Sequence, residues 1–216
     1  MNSNLRIGIS MRNSDASEYY EPRDGIAASW GDFLSSALPE AAWVALPNIG
    51  NSITKTLKDF AINALILSGG ENYGENPKRD KTEIAALDFC ISKQIPVIGI
   101  CRGLQVIQTY FGGRILNCDS NKHVATRHNV NIAENIFLPT DVHEVNSFHS
   151  NGIHKDYLAA QLTPLALDDE DLVEAAYSFE HKLAGIMWHP EREKIFKDLD
   201  CRIFDFFFEN CQCGVR

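Results

Sequence analysis

Pro96-Val97-Ile98-Gly99-Ile100 is an apolar run with no polar residue to turn toward water, and it passes without a linker into Cys101-Arg102-Gly103-Leu104-Gln105. Such a strand is buried on both faces, the condition of a parallel sheet covered by helices. Ala64 to Leu67 repeats the pattern and is stopped by Ser68-Gly69-Gly70. Leu5 to Met11 and Trp43 to Pro47 read as two further strands. Between the strands lie helical patterns. Asp24 to Leu38 sets Ile26, Trp30, Phe33, Leu34 and Leu38 on one side, a helix capped by Ser52 is expected to reach about Ala61, and Asp80 to Lys93 is a third. Successive βα units imply right-handed crossovers and a parallel sheet.

Helical periodicity disappears after Gly112-Gly113. Short β-like pieces follow at Arg114 to Asn117, Asn129 to Ile132, Val142 to Val145, Leu162 to Leu167, Leu172 to Ser178 and Leu183 to Trp188. A final helix is expected over Glu193 to Asn210, with Phe196, Leu199, Ile203 and Phe206 on one stripe and Phe206-Phe207-Phe208 read as helix core. The predicted fold is α/β, a doubly wound and mostly parallel central sheet flanked by helices, with an antiparallel β excursion in the second half. One domain spans residues 1–216, a length that supports one sizeable core.

Charge narrows the function classes. Against 29 Asp+Glu stand 20 Lys+Arg, a net charge of -9, which argues against nucleic acid or an anionic membrane surface as partner. No apolar run approaches the ~20 residues of a membrane helix, and no export signal is read at the N-terminus, so a cytoplasmic protein with reduced thiols is expected for its six cysteines. A special cysteine is then special by chemistry; the tail pair Cys211 and Cys213 is read as inert.

Cys101 has that setting. Gly99-Ile100-Cys101-Arg102-Gly103 is a glycine, nucleophile, glycine elbow between strand and helix, with cysteine in the place serine often takes. The helix N-terminus is expected to lower the thiol pKa. Downstream, His189 closes the run Leu183 to Trp188 and is followed by Pro190 and Glu191. The proline holds His189 extended, so Glu191, two residues on, projects to the same side and can orient the imidazole of a general base. Acyl chemistry at a cysteine also needs N–H donors for the developing oxyanion; the Arg102 backbone supplies one, and Gly70 is placed to supply a second.

These stretches, in this order, resemble the class I glutamine amidotransferase superfamily, and within it the free-standing γ-glutamyl hydrolase branch that includes γ-glutamyl-γ-aminobutyrate hydrolases. Ser68-Gly69-Gly70, Arg79-Asp80 with Glu83, Pro96 to Gln105, Tyr110 to Gly113, Asn146-Ser147-Phe148-His149 and His189-Pro190-Glu191 carry the likeness. The resemblance implies a flavodoxin-like amidotransferase fold, with Cys101 as nucleophile, His189 as base and acid, Glu191 as its orienter, and Gly70 and Arg102 as oxyanion hole. It also implies a γ-glutamyl pocket formed by Gln105, Ser147 and His149, a small-molecule γ-glutamyl substrate, and no metal or organic cofactor. Two places depart from the branch: Glu71-Asn72-Tyr73-Gly74 replaces its usual Asp and Pro, and Ser150-Asn151 follows His149 where Gln is common. Both fall on the leaving-amine side.

The implied reaction is hydrolysis of a γ-glutamyl amide through a glutamyl thioester, with γ-glutamyl-aminobutyrate or a γ-glutamyl nucleotide phosphoramidate as candidate substrate. For the second, Arg102, Arg127, His123 and His128 are candidate phosphate contacts; otherwise His123 and His128, whose spacing fits no standard zinc pattern, read as solvated loop residues. Two alternatives compete. One is a glutaminase subunit feeding ammonia to a synthetase on a separate chain, and the other a non-catalytic or redox-sensing relative. A homodimer is left open.

Overall fold

The computed structural model describes residues 5–15 and 18–210. The tail cysteines Cys211 and Cys213 lie outside them. Strands β1 (Arg6–Ser10), β2 (Arg12–Asp15) and β3 (Pro22–Gly25) precede helix α1 (Ser29–Ala37) and β4 (Ala42–Leu46). Then come α2 (Ile53–Asp59), β5 (Ala64–Leu67), α3 (Pro77–Ser92), β6 (Val97–Ile100) and α4 (Arg102–Tyr110). The second half holds β7 (Leu116–Asn117), α5 (Ser120–His123), β8 (Val124–Ile132), β9 (Val142–Phe148), β10 (Asn151–Gly152), β11 (Thr163–Leu167), β12 (Val173–Ser178), β13 (Leu183–Ile186) and α6 (Asp198–Asp205).

One nine-stranded sheet runs in the order β4-β1-β5-β6-β13-β12-β11-β8-β9. The first five strands pair in parallel and the remaining four continue antiparallel, so the α/β architecture with an antiparallel extension is the one observed. Strand alternation divides the core in two. Ile7, Ile9, Ala64, Ile66, Ile98, Ile100 and Ile186 face one layer with Trp30, Phe33 and Phe204. Leu65, Leu67, Val97, Leu183 and Met187 face the other with Ile53, Leu87 and Leu104. Helices therefore cover both faces of the parallel half, and the carboxyl ends of β5, β6 and β13 meet at one edge, where α/β folds place their sites.

Several expected boundaries move. The helix predicted from Asp24 begins at Ser29, because Pro22–Gly25 pairs with Arg12–Asp15 as a polar hairpin. Ser52 makes no side-chain cap: it ends a 3-10 turn, Gly50–Ser52, from which α2 starts. Helix α3 starts earlier than predicted, at Pro77, where Asn76 caps it by accepting from the Arg79 N–H. The predicted last helix begins at Asp198 instead of Glu193, and from Phe206 it widens into a π-helical turn, Phe206–Asn210, with Phe207 and Phe208 fully buried.

Candidate active site

The elbow is built by close packing. A Cβ on Gly103 would lie 2.1 Å from the Leu67 carbonyl oxygen, and one on Gly99 would lie 2.5 Å from the Gly103 carbonyl carbon, so α4 seats directly on β5 and β6 only with glycine at both places. Between them Cys101 adopts φ 51, ψ -102, a strained conformation for a residue with a side chain, of order 1–3 kcal/mol. Its N–H donates to the Ile186 carbonyl at 2.7 Å, and its own carbonyl accepts from Leu104 and Gln105, which holds the strain in place.

Cys101 is buried, and burial pushes its thiol up to about 12; the Arg102 N–H and the Arg192 charge pull the other way, while Glu191 and Glu174 add to the rise. This overturns the expected lowering. The field at the end of one helix is worth less than complete removal of a thiolate from water.

His189 is fixed from all sides. Asn146 grips its backbone twice, accepting from the His189 N–H at 2.9 Å and donating to its carbonyl at 2.8 Å. The ring lies against Gly69, where a Cβ would come within 2.5 Å of Cε1, and edge-on to Phe148 at 5.8 Å between centroids. Nδ1 stands 2.7 Å from Glu191 Oε1, both groups buried. The route to this pair differs from the expected strand alternation: His189 is extended, but Pro190–Arg192 forms a 3-10 turn that swings Glu191 back under the ring. The sequence motif around Asn146 carries no local sign of this role, because the clamp needs β9 beside the exit of β13.

Behind the site lies a buried ion network. Arg79 Nε donates to Glu83 Oε1 at 2.9 Å and Nη1 to Glu71 Oε2 at 2.8 Å, while Nη2 donates to the carbonyls of Ser68 and Gly69. Arg102 completes it, its guanidinium donating to Glu83 and Asp80. Ser10 joins by donating to Glu83 at 2.7 Å and accepting the Ser68 N–H. The network fixes the Ser68-Gly69-Gly70 turn. Gly70 sits at φ +145, and a Cβ there would strike the Arg79 guanidinium at 2.4 Å.

A cavity of about 240 Å³ opens beside Cys101, lined by Gly70, Glu71, Arg102, Gln105, Phe148 and His149 among others. Gln105 Nε2 donates weakly to the Asn151 carbonyl at 3.4 Å, and its buried Oε1 has no partner. His149 is also buried: desolvation opposes its charge, but Cys118 and Glu174 outweigh it and hold the imidazole up at about 10. Ser147 is absent from this wall. Its hydroxyl donates to the His123 carbonyl at 2.7 Å. The two departures from the branch pattern meet: Asn151 Nδ2 donates to Asn72 Oδ1 at 2.9 Å, bridging the turn after Gly70 to β10.

The arginines offered as phosphate contacts are already committed. Arg102 is spent inside the buried network, and Arg127 is held by Glu144 and Glu193. His123 is not a solvated loop residue either; it is 1% exposed, and His128 is half-buried, in contact with Glu174.

The parallel strands of the sheet thus end at a glycine-flanked, strained cysteine after β6 and a carboxylate-held histidine after β13. Residues 7–191 match the Peptidase C26 family, and the chain belongs to it. It is 35% identical over 196 residues, 87% of this chain and 90% of the relative, to the gamma-glutamyl-CDP-amidate hydrolase of Campylobacter jejuni subsp. jejuni serotype O:2. It is 28% identical over 167 residues, 65% of this chain and 66% of the relative, to the gamma-glutamyl-gamma-aminobutyrate hydrolase of Escherichia coli (strain K12). Its fold matches a glutamine amidotransferase from Thermotoga maritima with a TM-score of 0.62 at 15% identity, over 97% of this chain and 84% of that one. Among the described residues no helix is long and apolar enough to cross a membrane.

Proposed function

We propose that the chain is a cysteine-dependent hydrolase of γ-glutamyl amide C–N bonds, acting on a γ-glutamyl nucleotide phosphoramidate in preference to γ-glutamyl-aminobutyrate. The observation that carries this reading is the cavity in which Cys101, Gly70, Arg102 and Gln105 meet. Similarity over 90% of the Campylobacter hydrolase supports the nucleotide conjugate. The cavity suits a glutamyl group, with the larger leaving half lying over the rim at Asn72 and Ser150.

Because burial keeps the Cys101 thiol protonated at rest, attack on the γ-carbonyl requires transfer of its proton to His189 in the same step. Glu191 steadies the imidazolium through Nδ1. The Gly70 and Arg102 N–H groups receive the oxyanion, each worth about 3 kcal/mol. His189 then protonates the departing nitrogen, leaving a glutamyl thioester, and activates the water that releases glutamate. Gln105 Oε1 accepts from the substrate's α-ammonium group.

Turnover by the purified chain alone tests this. A γ-glutamyl nucleotide amidate should give the highest kcat/KM, γ-glutamyl-aminobutyrate a lower one and glutamine the lowest. Hydrolysis of glutamine that appears only when a synthetase chain is added would replace the hydrolase by an ammonia-supplying subunit.

A further inference from the structure

A second cluster of chemistry-bearing residues lies on the far side of His149. His123 ends α5, His128 lies in β8, Glu174 in β12, and Asp168 follows β11. The rings of His123 and His128 stand 5.0 Å apart, as do those of His123 and His149. Buried side chains normally satisfy their polar atoms. Here the ring nitrogens of His123 and His128 and the carboxylate oxygens of Glu174 make no hydrogen bond of normal geometry; Glu174 reaches only long contacts, 3.3 Å to His128 Nε2 and 3.5 Å to His149 Nε2.

Their separations fit another use. His123 Nε2 is 3.6 Å from Asp168 Oδ2. This is long for a hydrogen bond, yet it is close to the edge of about 3.4 Å of a tetrahedron whose centre lies about 2.1 Å from each corner, the bond length of zinc to imidazole or carboxylate. One ligand atom from each of His123, His128 and Asp168 falls within 4.8 Å of the other two. Asp168 is aimed for this: Oδ1 accepts the N–H groups of Glu170 and Leu172 at 2.9 and 2.8 Å, which leaves Oδ2 toward His123.

We propose that His123, His128 and Asp168 bind a divalent transition metal of the zinc class. Its fourth position faces the cavity of about 360 Å³ that these three residues line. Glu174 orients His128 as an outer carboxylate, the common partner of a metal-bound imidazole. Two imidazoles select against calcium and magnesium, and the two cations on the same cavity wall are already paired, Lys122 with Glu170 and Arg127 with Glu144 and Glu193, which disfavours an anion. The ion ties together α5, β8 and the turn after β11, and so braces the strand end that presents His149 to the Cys101 cavity.

Cobalt titration of chelator-treated protein, followed by absorption, tests the site. One equivalent should bind with the intense visible bands of a four-coordinate ion, be displaced by zinc, and raise the Tm. His123→Ala should remove the bands and Asp168→Asn should weaken binding at least tenfold; His128→Gln provides the same test should His123→Ala fail to fold, and Cys101→Ala should bind as the wild type does. Absence of the bands in wild type, or equal cobalt binding by wild type and the folded His123 or His128 variant, would overturn the assignment. The result is independent of which γ-glutamyl compound is hydrolysed.

Discussion

Two buried polar clusters flank the cavity beside Cys101, and they are built on opposite terms. On one side, Arg79, Glu83 and Arg102 share hydrogen bonds with Glu71, Asp80, Ser10 and Ser68, and the charges compensate one another. On the other, His123 and Glu174 are buried and His128 half-buried, and in place of normal hydrogen bonds they make long contacts, 3.3 Å from His128 to Glu174 and 3.6 Å from His123 to Asp168. Burying a polar group without a partner costs roughly 1–3 kcal/mol, so the second arrangement persists against its own energetics. The paired cluster is scaffold for the Gly70 turn. The unpaired one has the character of a binding site.

Breaking the paired side should have the largest effect on stability. Glu83→Gln leaves two guanidinium groups without their common carboxylate and is expected to cost about 3–5 kcal/mol in denaturant unfolding. A loss under 1 kcal/mol would mean that Asp80 and Glu71 suffice.

Asp200 is an intermediate case, with Oδ1 accepting from Trp188 Nε1 at 2.7 Å and Oδ2 unpaired. Burial raises it to about 7, against the opposing pull of Trp188 and Lys197. The folded state then holds a proton that the unfolded state releases near its ordinary value of 3.8, so this contribution is present below about pH 4 and is lost as pH rises through about 7. The slope is at most about 1.4 kcal/mol per pH unit. Asp200→Asn should flatten that part of the stability profile; an unchanged profile would show the carboxylate already ionised.

Within the cavity, Gln105→Leu should raise KM for a γ-glutamyl substrate about tenfold, or about 1.4 kcal/mol, with kcat little changed. An unaltered KM would remove Gln105 from substrate binding. The smallest effect belongs to the unpaired side. In metal-free protein His123→Gln should change stability by less than about 1 kcal/mol, because no hydrogen bond of the ring is lost. A loss comparable to that of Glu83→Gln would erase the distinction between the clusters.

What could be read in the sequence follows the range of the forces that wrote it. Gly99, Cys101 and Gly103 stand out because a strand entering a helix without a loop needs glycine at those spacings, and Pro190 marks the end of the strand that carries His189. The hairpin Arg12–Asp15 with Pro22–Gly25 has no apolar alternation to announce it. Strand β8 starts at Val124, five residues before the predicted Asn129, because its first half is an exposed or half-buried polar ribbon paired to the edge strand β9. Glu193 to Lys197 carries helix-compatible residues, yet Glu193 accepts from Arg127 and Asn146 instead of opening a helix. The histidine cluster draws on four segments between Ser120 and Ser178, so no spacing rule exposes it. The thiol pKa went the other way from expectation because burial is a property of the whole fold, whereas the helix terminus is visible locally.

Sulfur as the attacking atom is the central requirement of the proposed mechanism. Acid quenching during turnover of a γ-glutamyl nucleotide amidate, followed by intact and peptide mass spectrometry, should show one glutamyl group added at Cys101, absent from Cys101→Ala and, because His189 must take the thiol proton, from His189→Asn. Turnover that survives Cys101→Ala, or a glutamyl group carried on any other residue, would contradict it.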